Sequence, residues 1–157
     1  MQSQPSHAQK KATILLVEDD PGDQELTRRA LKHDSLNVDL RIVHDGEQAL
    51  DYLFRRGEFE DPATSPTPEL ILLDLNMPRK NGREVLTELK DHEHISRIPI
   101  VVLTTSEQEA DILRSYDLGC NSYIQKPVEI DQFIASVRKL GTYWFEVVTL
   151  PTAESNA

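Results

Sequence analysis

The sequence predicts an α/β fold, a doubly wound parallel sheet of five strands with helices on both faces. Three observations carry this. Five short apolar runs alternate with segments of helical spacing, the pattern that builds parallel strands joined by right-handed crossovers. The runs inside "ATILLVEDD" (12–20), "LILLDL" (70–75) and "IPIVVLTTS" (98–106) are apolar on successive residues, as strands covered on both faces are. The acids, hydroxyls and lysine of interest all fall at the carboxyl ends of the runs, where such sheets bind ligands.

The elements follow in order. After the first run, Asp20 is placed to cap a helix that Pro21 opens, with Leu26, Ala30 and Leu31 on one side. "VDLRIVHD" (38–45) alternates apolar and polar residues and reads as an edge strand. Helical spacing resumes at Ala49, Leu50, Leu53 and Phe54 and stops near Gly57. "GEFEDPATSPTPEL" (57–70) holds three prolines and reads as a loop. The third strand, 70–75, leads through an Asn-Gly turn into a helix over 81–93. The fourth strand precedes a helix over 107–119 that Gly119 can cap. "CNSYIQKP" (120–127) is a last short strand, and a final helix runs from about 128 onward. The expected organisation is a flexible 1–11, one folded domain over 12–150 with an extended C-terminal helix, and a flexible 151–157.

Composition excludes several function classes. A net charge of -10 argues against sequence-independent nucleic-acid binding and against anionic membrane surfaces, both of which need basic residues. The single cysteine, Cys120, cannot pair within the chain or supply a cysteine-based zinc site. No apolar run approaches the ~18 residues that span a bilayer, and the N-terminus lacks the apolar segment of a secretory signal. A cytoplasmic protein is expected.

Glu18 and Asp19 after the first strand and Asp74 after the third gather negative charge at one rim, which is unfavourable unless a cation joins them. Oxygen-only ligands favour Mg²⁺. Lys126, before Pro127, supplies a positive charge after the fifth strand and can meet a phosphate as a point charge. Together these groups make a phosphoryl-transfer site: Asp74 as nucleophile, Mg²⁺ on the phosphate oxygens, Lys126 balancing charge, and the Thr104 hydroxyl donating to the phosphoryl group. His92 and His94 are two residues apart at a polar helix end and read as surface residues rather than ligands.

"LLVEDD", "LILLDLNMPRKNG", "VVLTTS" and "YIQKP", in this order and spacing, resemble the receiver domain of two-component response regulators over roughly residues 12–140. The resemblance implies a flavodoxin-like sheet of strand order 2-1-3-4-5. It implies that Asp74 is the phosphoacceptor for a histidine kinase, and that Glu18, Asp19, Asp74 and the backbone carbonyl of Asn76 hold Mg²⁺. Thr104 and Tyr123 become the switch pair, and Lys126 the phosphate-contacting lysine before a cis-proline. Asn76 and Ser106 flank the expected path of the water that removes the phosphate. "DLNMPRKNGREVL", the proline-bearing loop and the tail "YWFEVVTLP" are similar to the stand-alone receivers that partner bacterial and cyanobacterial phytochromes, which implies a phytochrome-linked kinase. The residues after 150 are too few for an output domain, so signal is expected to leave through protein–protein contacts.

The tail carries more apolar residues than one small domain covers. The expected partner is a second copy, in a homodimer through Phe133, Trp144, Phe145 and Val148; the competing expectation is a tail folded back on its own sheet. A haloacid-dehalogenase-type phosphatase also uses an Asp after an apolar strand, but needs a second acid two residues on, where this sequence has Asn76. A receiver-like scaffold that binds partners without phosphorylation is the other alternative.

Overall fold

The apolar runs of the sequence become the strands of one sheet in the computed structural model, which describes residues 10–77, 82–105, 108 and 121–150. The strands are β1 (Ala12–Val17), β2 (Val38–Val43), β3 (Leu70–Asp74), β4 (Ile100–Thr104) and β5 (Ser122–Gln125). All pair in parallel, in the order β2-β1-β3-β4-β5. The described helices are α1 (Pro21–Leu31), α2 (Gly46–Leu53), α3 (Gly82–Lys90), α4 (Ile130–Leu140) and α5 (Thr142–Val148). Apart from Gln108, the helix expected over 107–119 lies outside the described residues, as do Cys120 and, apart from Lys10 and Lys11, the two terminal segments predicted to be flexible.

Side chains alternate across a strand, and this splits the core in two. Leu15, Val17, Ile71, Leu73 and Val102 pack on one face with Leu50, Val85, Leu86 and Leu89, whereas Ile14, Leu16, Leu70, Leu72, Val101 and Leu103 pack on the other with Leu31, Phe133, Val137 and Val148. The three central strands are therefore buried at every residue. Edge strand β2 is half-exposed along most of its length.

Capping sets where the helices begin. Asp20 Oδ2 accepts from the Asp23 N–H at 2.8 Å to start α1, and Asp45 Oδ1 accepts from the Gln48 N–H at 2.8 Å to start α2. After α2 the chain turns through left-handed conformations at Arg55 and Gly57 into a single 3₁₀ turn, Gly57–Phe59. The proline-bearing loop is then tied back. Tyr52 Oη donates to the Pro66 carbonyl at 2.7 Å, and the Arg55 guanidinium donates to the Ser65 carbonyl and to Thr67 Oγ1.

The C-terminal region differs from the extended helix that its periodicity predicts. Gly141, at φ 129°, ends α4, and a conformation open chiefly to glycine lets the chain reverse there. Helix α5 folds back over the α1 side of the sheet. The Asn37 N–H donates to the Val148 carbonyl at 2.7 Å and the Leu150 N–H to the Ser35 carbonyl at 2.8 Å, and Thr149 pairs with Leu36 as an antiparallel bridge. The predicted dimer contacts change accordingly. Phe133 and Val148 are fully buried in the chain's own core, so neither offers a surface to a partner. Trp144 and Phe145 are half-buried against the same core, with the Arg138 guanidinium 4.4 Å above the Phe145 ring.

Candidate functional site

Four strands end at one rim, and their registers bring the chemistry together. Val17 lies beside Leu73, Asp74 beside Leu103, and Thr104 beside Gln125. Glu18, Asp74, Thr104 and Lys126 therefore stand at or just past the carboxyl ends of β1, β3, β4 and β5. Strand order reverses between β1 and β3, which is where a sheet of this kind opens a crevice.

Glu18 and Asp74 are buried, and Asp19 stands nearer solvent. Carboxylate oxygens of the three lie within 4.8 Å of one another. The Lys126 ammonium closes the group, with Nζ at 2.9 Å from Glu18 Oε1 and 3.2 Å from Asp74 Oδ2. It also reaches Asp23 Oδ2 at 3.0 Å. The backbone places the lysine: its N–H donates to the Thr104 carbonyl at 2.8 Å, and the Lys126–Pro127 peptide bond is cis.

Electrostatics follow from this crowding. Burial pushes Glu18 up from the ordinary 4.5 to about 7; the hydrogen bond to Lys126 opposes the shift, and neighbouring Asp74 adds to it. Burial alone would lower Lys126, but the bonds to Glu18 and Asp23 and the charge of Asp74 hold it above its ordinary value. One ammonium thus faces more carboxylates than it can neutralise. That donor set fits a hard divalent cation taking oxygen ligands. The buried Glu18 and Asp74 with the more open Asp19 would hold it, leaving its solvent side for water or phosphate oxygens.

The remaining predicted residues fall at or near the rim. The Asn76 N–H donates to Asp74 Oδ1 at 3.3 Å, and its side chain is exposed. Thr104 is buried at the end of β4. Tyr123 is half-buried and packs with Val102 on the α2 and α3 side of the sheet. Alternation along β4 puts Thr104 on that same face as Val102. Ser106 lies outside the described residues. His92 is away from this cluster, stacked on Phe54 with ring centres 4.3 Å apart.

Asp23 is the site residue that sequence reasoning passes over. Its signal is local: with Asp20 as the cap and Pro21 opening the helix, Asp23 is the third helical residue, where a capping-box side chain turns back toward the cap. Here it turns back to the strand rim and meets Lys126.

Comparison with known proteins agrees with this geometry. A model described as the response regulator receiver domain matches residues 14–138. Response regulator Rcp1 of Synechocystis sp. is 45% identical over 140 residues, 89% of this chain and 93% of its own length. The crystal structure of its Mn²⁺-bound form superposes with a TM-score of 0.68 at 44% identity, over 90% of this chain and 99% of that one. The bacteriophytochrome response regulator RtBRR aligns with a TM-score of 0.78 at 44% identity, over 93% and 87% of the two chains. For the phosphorylated cyanobacterial phytochrome response regulator RcpA the TM-score is 0.69 at 42% identity, over 90% and 99%. Among the described residues no helix is long and apolar enough to cross a membrane. With the family match running over residues 14–138 and a relative 45% identical over 93% of its own length, the chain belongs to the response regulator receiver domain family.

Proposed function

We propose that Asp74 accepts a phosphoryl group from the phosphohistidine of a kinase, in a Mg²⁺-dependent reaction, and that the modified chain signals through protein contacts. The observation that carries this is the Lys126 ammonium held between two buried carboxylates, Glu18 at 2.9 Å and Asp74 at 3.2 Å. An Asp74 oxygen forms the new bond to phosphorus as the phosphorus–nitrogen bond breaks, and the electron pair leaves on the imidazole nitrogen. Glu18, Asp19, Asp74 and the Asn76 carbonyl would hold the divalent cation, which would neutralise charge on the phosphoryl oxygens. Lys126 donates to one such oxygen, the Thr104 hydroxyl donates to another, and burial of Asp74 keeps bulk water from its back.

The switch follows from the sheet. Thr104 moving toward the phosphoryl oxygens leaves space beside β4, and Tyr123, on the same face, turns into it. The chain is proposed to act in the cytoplasm, with a phytochrome-linked histidine kinase as its donor, in line with the relatives named above. A homodimer is proposed only through what α5 leaves outside, chiefly Tyr143, 64% exposed, with the outer edges of Trp144 and Phe145.

The experiment is labelling of the full chain by acetyl phosphate with and without Mg²⁺. One acid-stable, alkali-labile phosphate per chain is expected, and none on Asp74→Asn. Labelling that survives Asp74→Asn, or that ignores Mg²⁺, overturns the reading.

A further inference from the structure

The first turn of α1 adds to the lysine a third carboxylate that phosphoryl chemistry does not require. An ammonium has three N–H donors. Around Lys126 Nζ stand three acids, Glu18 at 2.9 Å, Asp23 at 3.0 Å and Asp74 at 3.2 Å. Asp23 lies outside the carboxylate cluster suited to a cation, which is Glu18, Asp19 and Asp74. Its side chain is 36% exposed, against 0% for Glu18 and 2% for Asp74. Its backbone is fixed by the Asp20 cap at 2.8 Å, so the carboxylate is held over the lysine by the start of the helix.

We propose that Asp23 is a positioning residue that competes with an incoming phosphoryl group for the Lys126 ammonium and so sets how tightly the site takes that group. The inference rests on the phosphoacceptor reading. The hydrogen bond from Lys126 Nζ to Asp23 Oδ2 is 3.0 Å, and a phosphoryl oxygen on Asp74 calls on the same ammonium. Glu18 and Asp74 are buried, so neither is rehydrated when the ammonium leaves it. Asp23 faces water and is rehydrated when released. It is the group that yields, and the lost ion pair weighs against the phosphoryl-bound state.

Beryllofluoride, a noncovalent mimic of a phosphoryl group on a carboxylate, tests this on the full chain. It is titrated at saturating Mg²⁺ into wild type, Asp23→Asn and Asp23→Glu, with binding followed by fluorine NMR, and Mg²⁺ alone is titrated separately. Asp23→Asn is expected to bind beryllofluoride about two- to fivefold tighter, the scale of one part-exposed ion pair, while its Mg²⁺ affinity does not rise, because removing a negative charge cannot draw in a cation. Asp23→Glu keeps the competing charge and stays near wild type, and the gap narrows as salt screens the pair. If Asp23 serves only to start α1, Asp23→Asn lowers the unfolding midpoint and binds beryllofluoride no tighter, which overturns the inference while leaving the phosphoacceptor reading intact. Wild type that takes up no beryllofluoride overturns both.

Discussion

Gly82 lies so close to the backbone of Asp74 that a Cβ added to it would come within 2.6 Å of the Asp74 carbonyl oxygen and 2.9 Å of Leu75 Cα. Its N–H donates to the Leu75 carbonyl at 3.1 Å, so the start of α3 is latched to the strand end that carries the acceptor. Backbone cannot swing aside as a flexible side chain can. Gly82→Ala is expected to destabilise the fold by about 1–3 kcal/mol, the usual scale of overpacking, and to slow Asp74 labelling because the strand end must move. Urea unfolding and acetyl phosphate labelling check the two effects, and an unchanged midpoint with an unchanged rate would show that the latch has slack.

Lys126 is the counter-charge for two buried acids. Lys126→Ala leaves Glu18 and Asp74 with no ammonium, and breaking a buried pair of this kind costs ~3–5 kcal/mol. Added Mg²⁺ is expected to recover part of that loss, since the cation sits on the same carboxylates. Thermal unfolding of the variant with and without Mg²⁺ measures it. A larger Mg²⁺ effect in the variant than in wild type is the expected result, and an equal one would mean that lysine and metal act independently.

Much of this arrangement was legible in the sequence because it rests on short-range rules. Continuous apolar runs mark β1, β3 and β4, and the acids at their ends follow from parallel-sheet topology. Asp20 is readable as a cap from Pro21 alone. The C-terminal reversal was not legible by periodicity, since Ile130, Phe133, Ile134, Val137, Leu140 and Trp144 keep helical spacing straight through Gly141. The backbone at Gly141 broke the pattern, and pairing of Thr149 with Leu36 is a long-range contact that no window of sequence contains. Asp23 was missed for a related reason. Its partner, Lys126, is 103 residues away.

That reversal separates stability from assembly. Phe133 is fully buried, so Phe133→Ala is expected to cost ~3–5 kcal/mol in unfolding free energy through the cavity it leaves. Tyr143, 64% exposed, should tolerate Tyr143→Asp within about 0.5 kcal/mol and yet weaken any dimer by charging its centre. Denaturant unfolding paired with sedimentation equilibrium distinguishes the two roles. A Tyr143→Asp protein that self-associates as wild type does would rule out the α5 surface as the interface.

Glu18 makes the site respond to pH. Its folded-state value is raised from 4.5 to about 7, mainly by burial, so the folded chain binds this proton more readily than the unfolded chain does. The stability it contributes is fully present below 4.5 and is lost as pH rises through 7. A divalent cation binds the ionised form and releases the proton. Metal-free protein is therefore expected to lose thermal stability from pH 5 to pH 8, while the rise in Tm on adding Mg²⁺ grows over the same range. Glu18→Gln should flatten the metal-free slope in that window and remove most of the Mg²⁺ response. If Glu18→Gln keeps the wild-type slope, the proton taken up on folding sits on another group, and the buried glutamate is not what couples the metal to pH.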